Sequence, residues 1–222
     1  MLGQPVADLS AQDACLVEFA KSLTARPWTT GAADIRELFA VGLSRESTAL
    51  VIGLVAMFNY LTRVADGTGI EADYGSELPE FVYRGVTEAA SRPDPSRWPA
   101  VDDSIELLSL LPDAHAAWRR WREYLLEGSA PLSVATRGEL RAIAARNACD
   151  GTVSQGAAEG GLADFADKLS RTPWLVTASD ADTLRAIGLD DRSILHVIAV
   201  VAYQSAESRL RIGLSALARA DG

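Results

Sequence analysis

Residues 19–67 read "FAKSLTARPWTTGAADIRELFAVGLSRESTALVIGLVAMFNYLTRVADG", and residues 165–213 read "FADKLSRTPWLVTASDADTLRAIGLDDRSILHVIAVVAYQSAESRLRIG". The two stretches align at an offset of 146 residues, without a gap from residue 18 to residue 67, and 18 of these 50 positions are identical. The identical positions include the pairs Pro27/Pro173, Trp28/Trp174, Asp34/Asp180, Gly42/Gly188, Leu43/Leu189 and Arg63/Arg209. Identity that concentrates on such residues indicates one supersecondary unit used twice. We call residues 18–67 the first copy and residues 164–213 the second copy.

Each copy predicts three helices. The first helix is amphipathic and should end near the Pro-Trp pair, because a proline disfavours helix in the residue before it. The second helix is short: in the second copy Thr177 and Asp180 have the spacing of a capping box, and Gly42 and Gly188 should end this helix in the left-handed conformation. The third helix is long and nearly all apolar in its first half, so we expect it to be buried on most sides.

The segment between the copies differs from both. The proline-rich "RPDPSRWP" at 92–99 is typical of a linker. The helix "PDAHAAWRRWREYLLEG" should end at Gly128 and direct Trp118, Trp121 and Leu125 to a core, and "PLSVATRGELRAIAARNAC" predicts another helix, capped by Ser133 or Thr136. Alternating strand patterns are absent, so the sequence predicts an all-α fold.

The composition excludes several classes of partner. The formal net charge of −9 and the absence of a basic run argue against nucleic acid. The most apolar runs, 49–58 and 194–203, are shorter than the roughly 20 residues of a membrane span, and no basic amphipathic face suits a membrane surface. The N-terminal residues lack the pattern of a signal peptide, so we expect a cytoplasmic protein.

Several ordered motifs resemble the AhpD-like superfamily, which holds alkylhydroperoxidase D, peroxidase-related proteins and carboxymuconolactone decarboxylases. They are "LLPDAHAAWRRWREYLLEG", "RGELRAIAARNACDG", the second copy, and "VAMFNYLTRVADGTGIE" of the first copy. The resemblance implies a multihelical bundle with an internal duplication of the three-helix unit. Residues 1–91 would form a half-unit, 92–104 a linker, and 105–222 a complete unit that contains the second copy. It also implies a homo-oligomer, dimer or trimer. The extra half would take the place of a second subunit, which predicts a pseudo-two-fold axis within the chain.

The family's peroxidases use Cys-x-x-Cys, a histidine four residues later and an upstream glutamate. Here Cys149 matches the first cysteine, but Thr152 stands at the second, Gly156 stands at the histidine, and Glu139 matches the glutamate only with a gap. A threonine cannot form a disulfide, so "RNACDGTVSQG" at 146–156 looks like a former dithiol site. Glu139, Cys149 and Thr152 are the candidate catalytic residues. The alternative for Cys149 is a small buried residue at a helix end.

Further polar residues are candidates for substrate binding. Arg146 and Gln155 could line a polar pocket near the helix end, or belong to a solvated face. Asn59 and Arg63 could bind a carboxylate, although the recurrence of Arg63 as Arg209 favours a role in the fold. Tyr203, Gln204 and Glu207 interrupt an apolar helix and could face a pocket or the other copy. His196 is interpreted as a hydrogen-bonded core residue, and no spacing suggests a metal site or a cofactor.

Three hypotheses for function follow. The first is a family member that has lost the dithiol activity and binds a small molecule or a partner, or has a structural role. The second is a cofactor-free acid–base lyase or isomerase. The third is a thiol peroxidase that uses Cys149. Analogy of fold alone does not separate them.

Overall fold

The computed structural model describes residues 9–70, 90–101, 104–128, 131–153 and 160–220, and within them the regular structure is entirely helical. The α-helices are α1 Ala11–Ala25, α2 Ala32–Ala40, α3 Arg45–Thr68, α4 Pro112–Leu126, α5 Val134–Asn147, α6 Gly161–Arg171, α7 Ala178–Ala186 and α8 Asp191–Ala220. Short 3₁₀ helices cover Pro27–Thr29, Pro95–Arg97, Ser104–Leu110 and Pro173–Leu175. No strand occurs in these ranges, and the all-α prediction is confirmed.

The helix bounds recur at the offset of 146 residues. Helices α2 and α7 begin and end at equivalent positions, and α3 and α8 begin at equivalent positions. Gly42 and Gly188 both have φ of 96° and end these short helices, as predicted. The carboxylates of Asp34 and Asp180 each accept a hydrogen bond of 2.7 Å from the backbone N–H three residues earlier. The same local interactions therefore shape both copies.

Helices α3 and α8 pack against each other in antiparallel orientation. A Cβ atom on Gly67 would lie 2.9 Å from Ile198 Cγ2, and a Cβ atom on Gly213 would lie 2.7 Å from Ile52 Cγ2. Gly67 is equivalent to Gly213, and Ile52 is equivalent to Ile198, so the two close approaches are the same contact made in both directions. Such reciprocal contacts define a two-fold relation, here a pseudo-two-fold axis within one chain.

Helix α8 lies at the centre of the molecule, and its side chains contribute to two apolar clusters. One cluster joins α8 to α4, α5, α6 and α7, and the other joins it to α1, α2, α3 and the 3₁₀ helix Ser104–Leu110. Trp118 and Trp121 pack on the core, Leu125 is buried, and Ser133 caps α5 by accepting from the N–H of Thr136, all as predicted. Helix α4 ends at Leu126, two residues before Gly128.

The prediction that the third helix is buried on most sides is correct for α8 and wrong for α3. One side of α3 is exposed, with between 42% and 60% of each side chain accessible; it consists of Leu50, Leu54, Met57, Phe58 and Leu61. We call these five residues the outer face of α3. Helices α4 and α5 cover the equivalent face of α8, and no described segment covers the outer face of α3 in the same way.

Within the described ranges, α3 is the one helix that is long and apolar enough to cross a membrane by length and composition alone. Its best 18-residue window has a mean hydropathy of 1.5 and is 39% buried. Core helices of soluble proteins meet the same criterion. The packing of α3 on α8 accounts for the apolar residues on the inner side of α3.

Candidate functional site

A cleft of about 550 Å³ opens where the two copies meet. We call it the inter-copy cleft. The Pro-Trp regions of both copies line it through Trp28, Pro173 and Trp174, and the long helices line it through Arg63 and Arg209. Ends of the first helices, Thr24 and Ser170, complete the inner wall. The pseudo-two-fold packing of α3 on α8 therefore creates the cleft.

Arg63 and Arg209 make reciprocal hydrogen bonds across this axis. Arg63 donates from Nη2 to the carbonyl of Ser170 at 2.9 Å and from Nη1 to the carbonyl of Asn59, four residues earlier, also at 2.9 Å. Arg209 repeats the pattern, with Nη2 to the carbonyl of Thr24 at 2.7 Å and Nη1 to the carbonyl of Ser205 at 2.8 Å. Thr24 and Ser170 are equivalent residues in the last turns of α1 and α6, where cations stabilise unpaired carbonyl groups.

Burial of the two guanidinium groups concentrates positive charge at the axis. Arg63 and Arg209 are 5% and 6% exposed. Burial lowers the pKa of Arg63 to about 10, with Asp66 opposing the change, so Arg63 is protonated at neutral pH. Burial and the nearby Arg63 lower the pKa of Arg209. The Nε of Arg63 is buried and has no hydrogen-bond partner in the described structure.

Asp66 is the one carboxylate among the described residues that line the cleft. Partial burial raises the pKa of Asp66, and Arg63 partly offsets this effect. Asn59 links Arg63 to the first helix: its Oδ1 accepts from Arg63 Nη1 and its Nδ2 donates to Thr24 Oγ1, each at 2.9 Å. A single, half-buried carboxylate therefore lines the cleft together with two buried arginines.

The end of α5 reaches the cleft through Asn147. Asn147 Nδ2 donates to Ser170 Oγ at 2.6 Å and to Asp167 Oδ1 at 3.0 Å, and its Oδ1 accepts from Arg92. Burial, followed by repulsion from Arg171, lowers the pKa of Arg92. Arg92 and Arg171 add further positive charge to the cleft lining, and Arg171 also contacts Asp167 at 3.3 Å.

Cys149 lies at a helix end, in a backbone conformation that usually belongs to glycine. Its φ is 58°, its N–H donates to the carbonyl of Arg146, and the N–H of Asp150 donates to the carbonyl of Ala145. These bonds form a Schellman motif with cysteine at the left-handed position, at a cost of about 1–2 kcal/mol. The thiol is fully buried, and burial raises its pKa to about 11, so it is protonated at neutral pH.

None of the other candidates near the helix end hydrogen-bonds to this thiol in the described structure. Thr152 is exposed and donates its hydroxyl to Asp150 Oδ1 at 2.6 Å. Glu139 is partly exposed and makes no hydrogen bond or ion pair with the described residues. Arg146 is partly buried and lies close enough to Arg92 to lower its pKa. Gln155 lies outside the described residues.

Tyr203, Gln204 and Glu207 assemble at a different place, beneath α4 and α5. Gln204 Oε1 accepts from Arg141 Nε at 2.7 Å, and Glu207 Oε2 accepts from Arg141 Nη2 at 3.2 Å. Glu207 also lies 3.4 Å from Arg211 and 3.8 Å from Arg122. Tyr203 stacks on Trp118 with ring centroids 5.0 Å apart, and burial raises its pKa. These side chains form a buried network that joins α8 to its covering helices.

His196 is a core residue, as predicted. Its Nε2 lies 3.2 Å from the carbonyl oxygen of Leu125, and burial lowers its pKa. No group of three histidine, cysteine, aspartate or glutamate side chains in the described parts of the chain could hold a metal ion.

The structure thus brings two of the predicted binding residues, Asn59 and Arg63, into the inter-copy cleft. Sequence reasoning favoured a role in the fold for Arg209 and missed Arg92 as a cleft residue. The sequence could have indicated Arg209 as a cleft residue, because Arg209 aligns with Arg63 at the repeat offset. Arg92 carries no such signal, because it lies in the segment interpreted as a linker.

Comparison with protein-family models, with curated protein sequences and with solved structures finds no match to this chain.

Proposed function

We propose that this chain is a degenerate relative of the AhpD-like proteins, without dithiol peroxidase activity, that binds a small organic anion in the inter-copy cleft. The observation that carries the proposal is the pair of buried guanidinium groups, Arg63 and Arg209, beside a single half-buried carboxylate. Buried charges are costly unless they are paired, and backbone carbonyl groups do not neutralise a cation. An anionic ligand would supply the missing negative charge.

The size and lining of the cleft support an organic ligand. A volume of about 550 Å³ lies within the usual range for small-molecule sites. Trp28, Trp174 and Pro173 offer apolar contacts for a hydrocarbon or aromatic part, and Arg92 and Arg171 would attract the anion. We therefore expect a carboxylate, phosphate or sulfonate attached to an apolar body.

The predicted catalytic residues of the two enzymatic hypotheses do not line this cleft. A thiol peroxidase requires a thiolate, whereas the thiol of Cys149 is buried and protonated at neutral pH. For an acid–base enzyme, Glu139 was the candidate carboxylate among the predicted catalytic residues, and it does not line the cleft. Absence of peroxide turnover, both in the unchanged chain and in Cys149→Ala, would agree with the binding proposal.

Isothermal titration of the full chain with benzoate, hexanoate and phenyl phosphate, and with neutral benzamide, tests the proposal. We expect at least one anion to bind, and benzoate to bind at least about tenfold more tightly than benzamide, since a charge-assisted hydrogen bond contributes about 1.5–3 kcal/mol. Arg63→Gln should weaken anion binding by about tenfold to a hundredfold, while Arg185→Gln, which removes an exposed arginine elsewhere, should not change it.

Two variants keep the experiment informative if Arg63→Gln does not fold. Arg63→Lys retains the charge, and Asp66→Asn removes the competing carboxylate and should tighten anion binding. As pH falls, the affinity of the unchanged chain for phenyl phosphate should approach that of the Asp66→Asn variant. The reason is that the raised pKa of Asp66 allows this carboxylate to become neutral. Absence of binding of all three anions to the folded chain at millimolar concentration would overturn the proposal.

A further inference from the structure

The outer face of α3 is an apolar surface that continues into a groove. Leu50, Leu54, Met57, Phe58 and Leu61 recur at spacings of three and four residues and so lie on one side of the helix. Between α1 and α3 this side borders a groove of about 370 Å³, lined in part by Leu16, Ala20, Val51 and Val55. Contiguous exposed apolar surface of this kind marks an interaction site.

The second copy shows what such a groove accepts. The equivalent groove between α6 and α8 contains Ala166, Val197 and Val201, the counterparts of Ala20, Val51 and Val55. Helix α5 packs against both α6 and α8, and its Leu140, Ile143 and Ala144 belong to the same apolar cluster as these residues. One groove is therefore occupied by an apolar helix face, and its counterpart in the first copy has no such helix from the described segments.

We propose that the outer face of α3 is a homodimer interface, in which the α1–α3 groove of each subunit receives the exposed α3 side chains of the other. Phe58, 60% exposed, supplies a protruding side chain beside the groove. A protrusion and a groove on the same face are the requirement for a two-fold contact, where each surface meets a copy of itself.

Charge favours a second copy as the occupant. A two-fold contact brings like surfaces together, so any net charge on the surface would repel itself. Residues 47–62 of α3 contain no charged side chain, on a chain whose formal net charge is −9. The neutral face of α3 therefore allows two acidic molecules to associate where a charged face would not.

The inner side of α3 provides an example of antiparallel packing between long helices of this chain. On its inner side α3 already packs antiparallel on its counterpart α8 through reciprocal glycine–isoleucine contacts. The outer side presents the same helix with apolar residues in place of the polar network that α4 and α5 cover on α8. An antiparallel α3–α3 contact across a true two-fold axis would bury this side.

Sedimentation velocity of the full chain over a range of micromolar concentrations tests the proposal. We expect a species of twice the 23.7 kDa chain mass that dissociates on dilution. Phe58→Glu and Leu54→Glu should each shift the chain to monomer at all these concentrations, with unchanged helical circular dichroism because both residues are exposed. Leu195→Glu, which changes a 52% exposed leucine on α8, is the matched control and should leave the dimer intact.

Other outcomes would overturn the proposal. A chain that is monomeric at every concentration does not use the outer face of α3 to bind a second copy. A monomer that binds phosphatidylcholine vesicles, and loses this binding in Phe58→Glu, has a bilayer as the occupant. A dimer that survives both glutamate variants associates through another surface.

Discussion

Helices α3 and α8 begin at equivalent positions. Each has an arginine at the pseudo-two-fold axis, and each has a glycine against which an isoleucine of the other helix packs closely. Their opposite sides differ. Helix α8 presents Gln204 and Glu207, fully buried beneath α4 and α5, whereas α3 presents the equivalent residues Phe58 and Leu61 to solvent. The polar side is covered and the apolar side is exposed, which reverses the usual distribution.

This difference separates the positions that make the contact between the copies from the positions that contact other segments. Positions at the α3–α8 contact, such as Arg63/Arg209 and Gly67/Gly213, stay the same because each must fit the other copy. The residue types on the opposite side of each helix depend on the segment that covers that side. The arginines of α4 and α5 permit Glu207, and the neutral outer face of α3 fits an apolar partner.

The largest effect is expected at Glu207. Glu207→Ala would leave Arg141 and Arg211 without their shared carboxylate in a buried setting, and we expect the free energy of unfolding to fall by about 3–5 kcal/mol. Urea denaturation followed by circular dichroism measures it. Glu123→Gln, at an exposed position on α4, is the control and should change stability by less than about 0.5 kcal/mol. Equal effects in the two variants would show that the buried network does not account for the polar residues on this side of α8.

The next effect concerns the close contact between the copies. Gly213→Ala would place a Cβ atom 2.7 Å from Ile52 and should lower the free energy of unfolding by about 1–3 kcal/mol through overpacking. Gly53→Ala, in α3 with no atom within 4 Å of the added Cβ, should instead raise it by about 0.5–1 kcal/mol through helix propensity. Chemical denaturation of the two variants gives the comparison, and stabilisation by both changes would contradict the close approach.

The sequence predicted the parts of the fold that local rules determine. The glycine ends of α2 and α7, the Ser133 cap and the core positions of α4 follow from turn chemistry and periodicity, and the repeat offset relates the two copies. The exposure of α3 was not predictable in this way. Its apolar residues occur on all sides, so the helix pattern alone does not tell which side another segment covers.

The candidate site was predictable only in part, for a similar reason. Asn59 and Arg63 follow an apolar run at helical spacing, and this pattern suggested a carboxylate site. Arg92 and Asn147 reach the cleft from segments far away in sequence, through contacts that no spacing reveals. Cys149 drew attention because of a motif, whereas its burial depends on how α5 ends against its neighbours.

The smallest effect is a dependence of stability on pH at His196, which occupies the position of Leu50 in the first copy. Burial lowers the pKa of His196, the hydrogen bond to the Leu125 carbonyl partly opposes this, and Arg137 and Arg192 lower the pKa further, so the unfolded chain binds a proton more readily. Stability is therefore complete above the ordinary histidine pKa of about 6.5 and is lost as pH falls through the lower pKa of the folded state. Thermal unfolding between neutral and mildly acidic pH should show this loss, and His196→Leu should reduce its slope. An identical slope in both proteins would place the dependence on other groups.

The pseudo-two-fold packing of α3 on α8 is tested most directly by a disulfide across it. The Cβ of Ile52 lies 3.5 Å from the Cβ position built on Gly213, a separation at which cysteines can be bridged. In a chain with Cys15→Ser and Cys149→Ala, the pair Ile52→Cys and Gly213→Cys should oxidise within one chain, seen as a monomer mass lower by two hydrogens under non-reducing, denaturing conditions. The pair Gly53→Cys and Gly213→Cys should keep free thiols. Free thiols in the first pair, in a folded and oxidised sample, would contradict the packing of the two copies.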